Sequence, residues 1–441
     1  MKVAIVGGGY GGLTAALAFS KAGVSNQIFE CQNDLGGLAG SFYFEENEIE
    51  KFYHHWFTSD QAILNLVKEF GLEDKLHYLN SGNRIILSNR FYDLSKPISL
   101  LKFRAISMPL RIRLGLGVLF ARTKLANRFS KKMTAISWSK IIFGHKITNT
   151  LWRPLLIRKF GDYHLEIAAE WLQNKLKLRG STRKKGGEEV LVYLDGGFGA
   201  LQKRIVEKIR ILHTTIFTDK RVEEIERDKQ GHYHLVTNSG ESFGPFNGVL
   251  LTISAPEALK ILQKIHAPDW KLKATGIRYC ANRCLIIKTQ GKILNSYWHT
   301  VVDQEFPFIA MIDHSNFDPR FSNMDFSLIY LSKYMPNTDE DFWISDDELL
   351  AKWGKILEKI VPRFDIKKVE HHQSWKADFA QPIPTRELSE NHAKIGRIAE
   401  NLYFSSMCNI FPQDRGTNFA VANAQKIALH MIDNLIRQQK I

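Results

Sequence analysis

Val3-Ala4-Ile5-Val6-Gly7-Gly8-Gly9-Tyr10-Gly11-Gly12 joins an apolar strand to a glycine turn, and its reading decides the fold. Gly7, Gly9 and Gly12 keep the G-x-G-x-x-G spacing of a dinucleotide-binding turn. The first glycine permits the tight turn, the second lets backbone N–H groups approach a pyrophosphate, and the third lets the next helix pack on the strand. A helical run from Leu13 to Ala22 follows, with Gly23 as its stop signal. Its N-terminus, at Tyr10 and Gly11, faces the phosphates. The second strand, Gln27-Ile28-Phe29, ends in Glu30, 18 residues beyond the third glycine. A carboxylate at that distance accepts hydrogen bonds from a ribose diol and favours an unphosphorylated adenosine ribose.

The chain has 441 residues, 44% of them hydrophobic, enough for two or three domains with ample core. No basic, apolar leader precedes the fingerprint strand, so no secretory signal is expected. The longest apolar stretches, such as Leu114-Gly115-Leu116-Gly117-Val118-Leu119-Phe120, fall far short of the ~20 residues that span a bilayer. Cys31, Cys280, Cys284 and Cys408 form no paired framework and read as reduced cysteines of a cytoplasmic protein. No metal site is expected, because His54-His55 and His371-His372 are adjacent pairs without an acidic or cysteine complement.

The net charge of +14 is unevenly spread. From Lys96 to Lys159 there are 15 Lys and Arg and no Asp or Glu, interleaved with Phe103, Leu110, Ile112, Phe120, Phe129, Trp138 and Trp152. Ile106 to Leu125 reads as one amphipathic basic helix, which suits either an anionic membrane surface or an anionic substrate. A solvated basic surface on a helical subdomain is the equal alternative. Nucleic acid is not expected, since no binding motif accompanies the charge.

The strand and helix pattern gives an α/β fold with a Rossmann-like dinucleotide domain built from discontinuous segments, 1–58, 196–264 and 396–441. Segments 59–195 and 265–395 form an α+β substrate domain, a mixed sheet plus helices, which carries the basic helical insert 96–160. The first of these segments is expected to be mostly helical. Strands are expected near Cys284 to Thr289, Ser296 to Val302, Phe308 to Ile312 and Ser327 to Leu331, then a helix from Asp346 to Ile360. A pocket at the junction of the two domains is the expected ligand site.

Several motifs carry a family resemblance over essentially the whole chain: Gly7 to Gly12, Glu30 followed by Asp34-Leu35-Gly36-Gly37-Leu38-Ala39, Gly196-Gly197-Phe198, and Asp414-Arg415-Gly416-Thr417-Asn418. They resemble the flavin-containing amine oxidase superfamily, in its protoporphyrinogen oxidase-like and phytoene desaturase-like branch. A narrower bacterial group of FAD-dependent oxidoreductases is similar through Lys51-Phe52-Tyr53-His54-His55 and Leu151-Trp152-Arg153-Pro154. The resemblance implies FAD as the dinucleotide. It also implies that Gly36, Gly37, Leu38 and Ala39 approach the FAD phosphates and ribityl chain, and that the backbone of Val222 meets adenine. The helix entered at Thr417, Asn418 and Phe419 would aim its N–H groups at flavin N1 and the C2 carbonyl, where reduced flavin is negative.

The chain departs from its relatives in two places. Leu38 stands where many have arginine, and Ser405-Ser406-Met407 stands where many have Gly-Asp. Asp414 is the expected replacement for that carboxylate. The resemblance implies an FAD-dependent oxidase or desaturase, passing a hydride to flavin N5. The basic, amphipathic insert suggests a largely apolar small-molecule substrate with an anionic group, porphyrin-like or isoprenoid. A non-redox isomerase resembling UDP-galactopyranose mutase is the alternative. Polar groups that interrupt apolar strands are the catalytic candidates: His54, His55, His314 and Tyr330, with one ring of the His54-His55 pair turned inward if that stretch is extended. Ordinary packing with a hydrogen-bonded polar tip is the competing reading of His314 and Tyr330.

Overall fold

The computed structural model describes residues 1–94, 96–181 and 188–438. Lys2–Val6 lies within a six-stranded sheet ordered Thr215–Phe217, Ser25–Phe29, Lys2–Val6, Gly248–Leu251, Leu402–Phe404, Arg397–Ala399. The first five strands run parallel, with Ile5 opposite Ile28 on one side and Leu250 on the other. Arg397–Ala399 closes the edge antiparallel. A parallel sheet is buried on both faces, which is why its strands are continuous apolar runs. Val3 and Ile5 pack with Leu13, Ile205 and Val421 under the helices Tyr10–Lys21, Gly197–Ile211 and Thr417–Gln438. Ala4 and Val6 turn to the other face, with Val249, Leu251 and Ala258. The antiparallel strands Val222–Arg227, Tyr233–Thr237 and Ser242–Phe246 add to that second cluster.

A seven-stranded sheet forms the other layer, ordered Val369–Pro382, Tyr279–Gln290, Phe326–Met335, Ala310–Asp313, Trp298–Val301, Arg84–Leu87, Arg90–Asp93. Leu285, Ile287, Ile329 and Leu331 on one face pack against Trp353 and Leu357 of the helix Asp346–Ile360. That helix starts at a capping box of Ser345 and Glu348. Cys284, Ile286, Leu328 and Tyr330 on the other face join the core of the dinucleotide sheet. The two sheets therefore enclose a shared interior.

Three expectations are corrected. Residues 59–195 hold more strand than expected: Leu76–Asn80 pairs with Val190–Leu194, and Arg84–Leu87 forms a hairpin with Arg90–Asp93. Strands of four or five residues are too short to display a period. The hairpin signal was local, for Ser88 and Asn89 both take positive φ (53° and 55°), as the primed two-residue loops require. Val369–Pro382, a 14-residue edge strand outside the expected set, is polar along most of its length and so lacks the apolar signature of a buried strand. The basic stretch 106–125 divides into Met108–Ala121 and Lys124–Ser130. Thr123 Oγ1 accepts the Ala126 N–H at 3.3 Å and starts a new helix there. Among the described residues no helix is long and apolar enough to cross a membrane.

Candidate functional site

The glycine turn is a cradle of bare backbone. Gly7 takes φ 108° and donates its N–H to the Phe29 carbonyl at 2.8 Å, while the Gly36 N–H donates to the Gly8 carbonyl at 2.9 Å. The fingerprint and the second glycine doublet thus meet edge to edge. A Cβ at Gly12 would collide with the Gly7 carbonyl oxygen, and one at Gly37 would reach within 3.3 Å of Gly9 Cα. The helix Tyr10–Lys21 begins with neither a side-chain cap nor an acidic residue in its first turn, leaving its N-terminal N–H groups for an anion. This arrangement fits a dinucleotide pyrophosphate. Glu30, buried at the strand end, accepts the Gly8 N–H at 2.6 Å on one oxygen and the Gln32 N–H at 2.9 Å on the other. The carboxylate proposed for the ribose therefore also ties down the fingerprint loop.

From this cradle extends a cavity of about 1460 Å³, larger than the roughly 300–1,000 Å³ that holds one small ligand. Of the expected cofactor residues, Gly7, Gly9, Tyr10, Gly11, Glu30, Gly36, Gly37, Leu38, Ala39, Val222, Asp414, Thr417 and Phe419 line it. Gly12 and Asn418 do not. Gly12 is packed against the Gly7 backbone, and Asn418 Oδ1 accepts the Ile63 N–H at 3.1 Å, fastening the helix Gln61–Glu69 to the last helix. Trp56 Nε1–H donates to Thr417 Oγ1 at 2.8 Å while its ring stacks on Phe198 at 4.3 Å. The N-terminus of the last helix is thereby held at the cavity wall.

His54 and His55 both line the cavity. Phe52 to His55 is not strand, and the alternation of faces does not apply. His54 Nδ1–H donates to the Phe52 carbonyl at 2.6 Å, and His55 Nδ1 lies 3.1 Å from the Tyr297 hydroxyl. Burial pushes His54 down to about 4, and burial with the adjacent His54 and the charges of Arg179 and Lys175 pushes His55 down to about 3. Both rings are neutral at pH 7.

His314 and Tyr330 lie outside the cavity, in a fully buried network around Glu50. Tyr193 Oη–H donates to Glu50 at 2.9 Å, the Phe198 N–H donates to it at 2.7 Å, and Tyr330 Oη–H donates to the Glu50 backbone carbonyl at 3.0 Å. His314 Nε2 lies 3.2 Å from the Tyr193 hydroxyl and 3.4 Å from Asp318. Burial opposes the charge on Asp318, but His314 and Arg320 hold its carboxyl well below the usual range. The network fixes the entry to the helix Gly197–Ile211; it engages the Tyr330 hydroxyl and His314 Nε2, while His314 Nδ1 is buried without a hydrogen-bond partner.

Sequence reasoning missed two cations of the cavity, Lys175 and Arg179. Lys159, Lys175 and Arg179 line it from the helices Arg153–Phe160 and Ala169–Ser181, beside Arg415. Asp414 bridges Lys175 at 2.6 Å and Lys159 at 3.4 Å, and accepts the Trp171 Nε1–H at 3.1 Å. It therefore ties the basic helices to the turn before the last helix. Burial would raise Asp414, yet the two lysines hold it far below the usual carboxylate range. The available signal was the i, i+4, i+8 spacing of Trp171, Lys175 and Arg179, which puts all three on one helix face.

A family model for flavin-containing amine oxidoreductases matches residues 10–406. The zeta-carotene desaturase of Synechocystis sp. is 31% identical over 93 residues, 19% of each chain. The 15-cis-phytoene desaturase of Synechococcus elongatus is 27% identical over 154 residues, 32% of each. The chain thus aligns with a fifth to a third of the length of these curated relatives. A putative protoporphyrinogen oxidase from Exiguobacterium sp. 255-15 shares the fold, with TM-score 0.78, 18% identity and 98% of both chains covered. Reduced UDP-galactopyranose mutase shares it with TM-score 0.74 and 14% identity, over 100% of this chain and 95% of that one. The chain belongs to the flavin-containing amine oxidoreductase family.

Proposed function

We propose that this member of the flavin-containing amine oxidoreductase family removes a hydride from a carbon of a largely apolar substrate bearing an anionic group, of isoprenoid or porphyrin-like type. One observation carries the reading: a single cavity joins the glycine cradle to a slot walled by Val118, Trp152, Leu155, Leu172 and Leu176. FAD, when bound, supplies the two-electron acceptor at flavin N5. The chain supplies orientation and charge. Gly7, Gly9, Gly36 and the N-terminus of Tyr10–Lys21 would hold the pyrophosphate, Glu30 the ribose, and Val222 the adenine. Thr417, fixed by Trp56, holds the last helix's N-terminus at the cavity wall, where it would stabilise negative charge on a reduced flavin. His54 and His55, uncharged at neutral pH, add polar contacts without adding charge.

In this reading segments 1–58, 196–264 and 396–441 are the cofactor unit, and 59–195 with 265–395 the substrate unit. Anaerobic mixing with a carotenoid-like or porphyrinogen-like substrate should bleach the flavin bands of the purified protein. An isomerase is the second reading, favoured by the mutase-like fold and the cations of the cavity. It would leave those bands intact and turn over a nucleotide sugar only after prior reduction.

The same proposal puts the basic insert of an otherwise cytoplasmic protein on an anionic membrane surface at its inner face. Met108, Ile112, Leu116 and Leu119 are exposed along the helix Met108–Ala121, whose Val118 lines the slot. Arg111 and Arg113 donate to carbonyls of Leu101, Ile106, Ile141 and Ile142, so they brace the insert. The informative variant is therefore Leu116→Asp with Leu119→Asp. Wild type should sediment with phosphatidylserine vesicles and the variant should stay in solution. A wild type that does not sediment removes the membrane from the proposal.

A further inference from the structure

The wall of the slot carries charge that the cofactor reading leaves unused. The helix Ala169–Ser181 turns one stripe to the cavity, in which Leu172 and Leu176 alternate with Lys175 and Arg179. Lys175 lies 5.2 Å from the ring centroid of Trp171, and the Arg179 guanidinium lies 5.7 Å from that of Trp298. Both are close enough to His55 to depress its protonation. Lys159, from the preceding helix, is packed over Trp171 at 4.9 Å and Tyr334 at 5.2 Å. Asp414 brings one negative charge to this cluster, whereas Lys159, Lys175 and Arg415 around it are cationic groups. The apolar slot thus ends in a net positive patch beside the two neutral histidines. Cations held in an apolar chamber cost desolvation free energy, which an anionic guest offsets.

We propose that Lys175 and Arg179 form an oxyanion subsite that takes the carboxylate of an amphipathic substrate, with its apolar body in the slot of Val118, Trp152, Leu155 and Leu172. This rests on the reading of the cavity as a joint cofactor and substrate chamber. The planar fork of Arg179 matches a carboxylate, and the adjacent ammonium adds a charge-assisted bond. Lys159 modulates the patch. Burial pushes it down to about 7 against the pull of Asp414, with Lys175 and Arg415 adding repulsion. Tyr334 and Trp171 present ring faces to it, and Cys280 Sγ–H contacts its carbonyl at 3.4 Å. Anion affinity should therefore fall as pH rises through about 7 and Lys159 loses its charge.

The test is calorimetric titration of the FAD-loaded protein with palmitate, hexadecanol and hexadecyl phosphate, in the wild type and in Lys175→Gln/Arg179→Gln. Palmitate should bind the wild type roughly 10- to 100-fold more tightly than hexadecanol, the worth of a hydrogen-bonded charge. The double variant should lose that preference while keeping its FAD content and its hexadecanol affinity. Equal binding of palmitate and hexadecanol by the wild type overturns the subsite but leaves the apolar chamber standing. Failure of all three ligands to bind FAD-loaded protein overturns the chamber reading itself. Preference for hexadecyl phosphate over palmitate overturns the carboxylate assignment, and a double variant that keeps the palmitate preference overturns the role of Lys175 and Arg179.

Discussion

The cradle around Gly7 to Gly12 and the slot beside Lys175 and Arg179 share one cavity but are made of different material. In the cradle the backbone does the binding, so its residues are defined by what they lack: Cβ atoms at Gly7, Gly9, Gly12 and Gly37. In the slot the side chains do it, and they come from segments far apart in sequence, including Ile85, Val118, Trp152, Lys175 and Ile309. The constraint is most severe at Gly12, where an added Cβ would clash with the Gly7 main chain, which cannot rotate away. Side-chain sites can be remodelled one residue at a time, which is how one fold serves many substrates.

That contrast is tested most severely by Gly12→Val. The added Cβ meets the Gly7 carbonyl, so we expect loss of more than about 3 kcal/mol and a colourless or insoluble protein. Near-normal flavin content in the purified variant would break the contrast. Glu30→Ala should act more mildly, removing a carboxylate that accepts two backbone N–H groups. FAD dissociation, followed by flavin fluorescence, should rise roughly 10- to 100-fold with the fold retained. Unchanged affinity would show that Glu30 serves only the loop.

The smallest expected effect lies in the slot. Lys159 has a folded value of about 7, below that of the unfolded chain, so the unfolded state binds more protons between there and the ordinary lysine range. Stability should therefore rise with pH across that window. Lys159→Met should flatten the rise, by on the order of 1 kcal/mol, and leave FAD in place. Melting temperatures between pH 7 and about 10 give the answer, and parallel curves for wild type and variant would contradict the assigned burial of the ammonium.

The same contrast governs how much was legible in the sequence. The parallel sheet could be read from Val3-Ala4-Ile5-Val6 and the glycines, because a tight turn, a phosphate approach and a close helix contact each demand glycine at a fixed spacing. The helix Asp346–Ile360 was legible with its bounds, since Ser345 and Glu348 signal its start. The hairpin at Ser88-Asn89 was missed, as its strands are short and its turn avoids glycine. His314 and Tyr330 looked like site residues because they are polar groups in apolar strands. Tyr330 bonds the distant Glu50 backbone and His314 the distant Tyr193 hydroxyl, and nothing in the local pattern reveals those pairings. Lys175 and Arg179 were passed over for the opposite reason: on a basic chain, charges at helical spacing look like a solvated face.

The central claim is that cofactor and apolar substrate share one chamber, and the visible absorption spectrum of the purified protein during titration with palmitate tests it most directly. The account predicts flavin bands with one FAD released per chain, and a saturable shift of those bands as the slot fills. Flavin bands that ignore every apolar ligand, or a colourless protein that takes up no FAD, would contradict it.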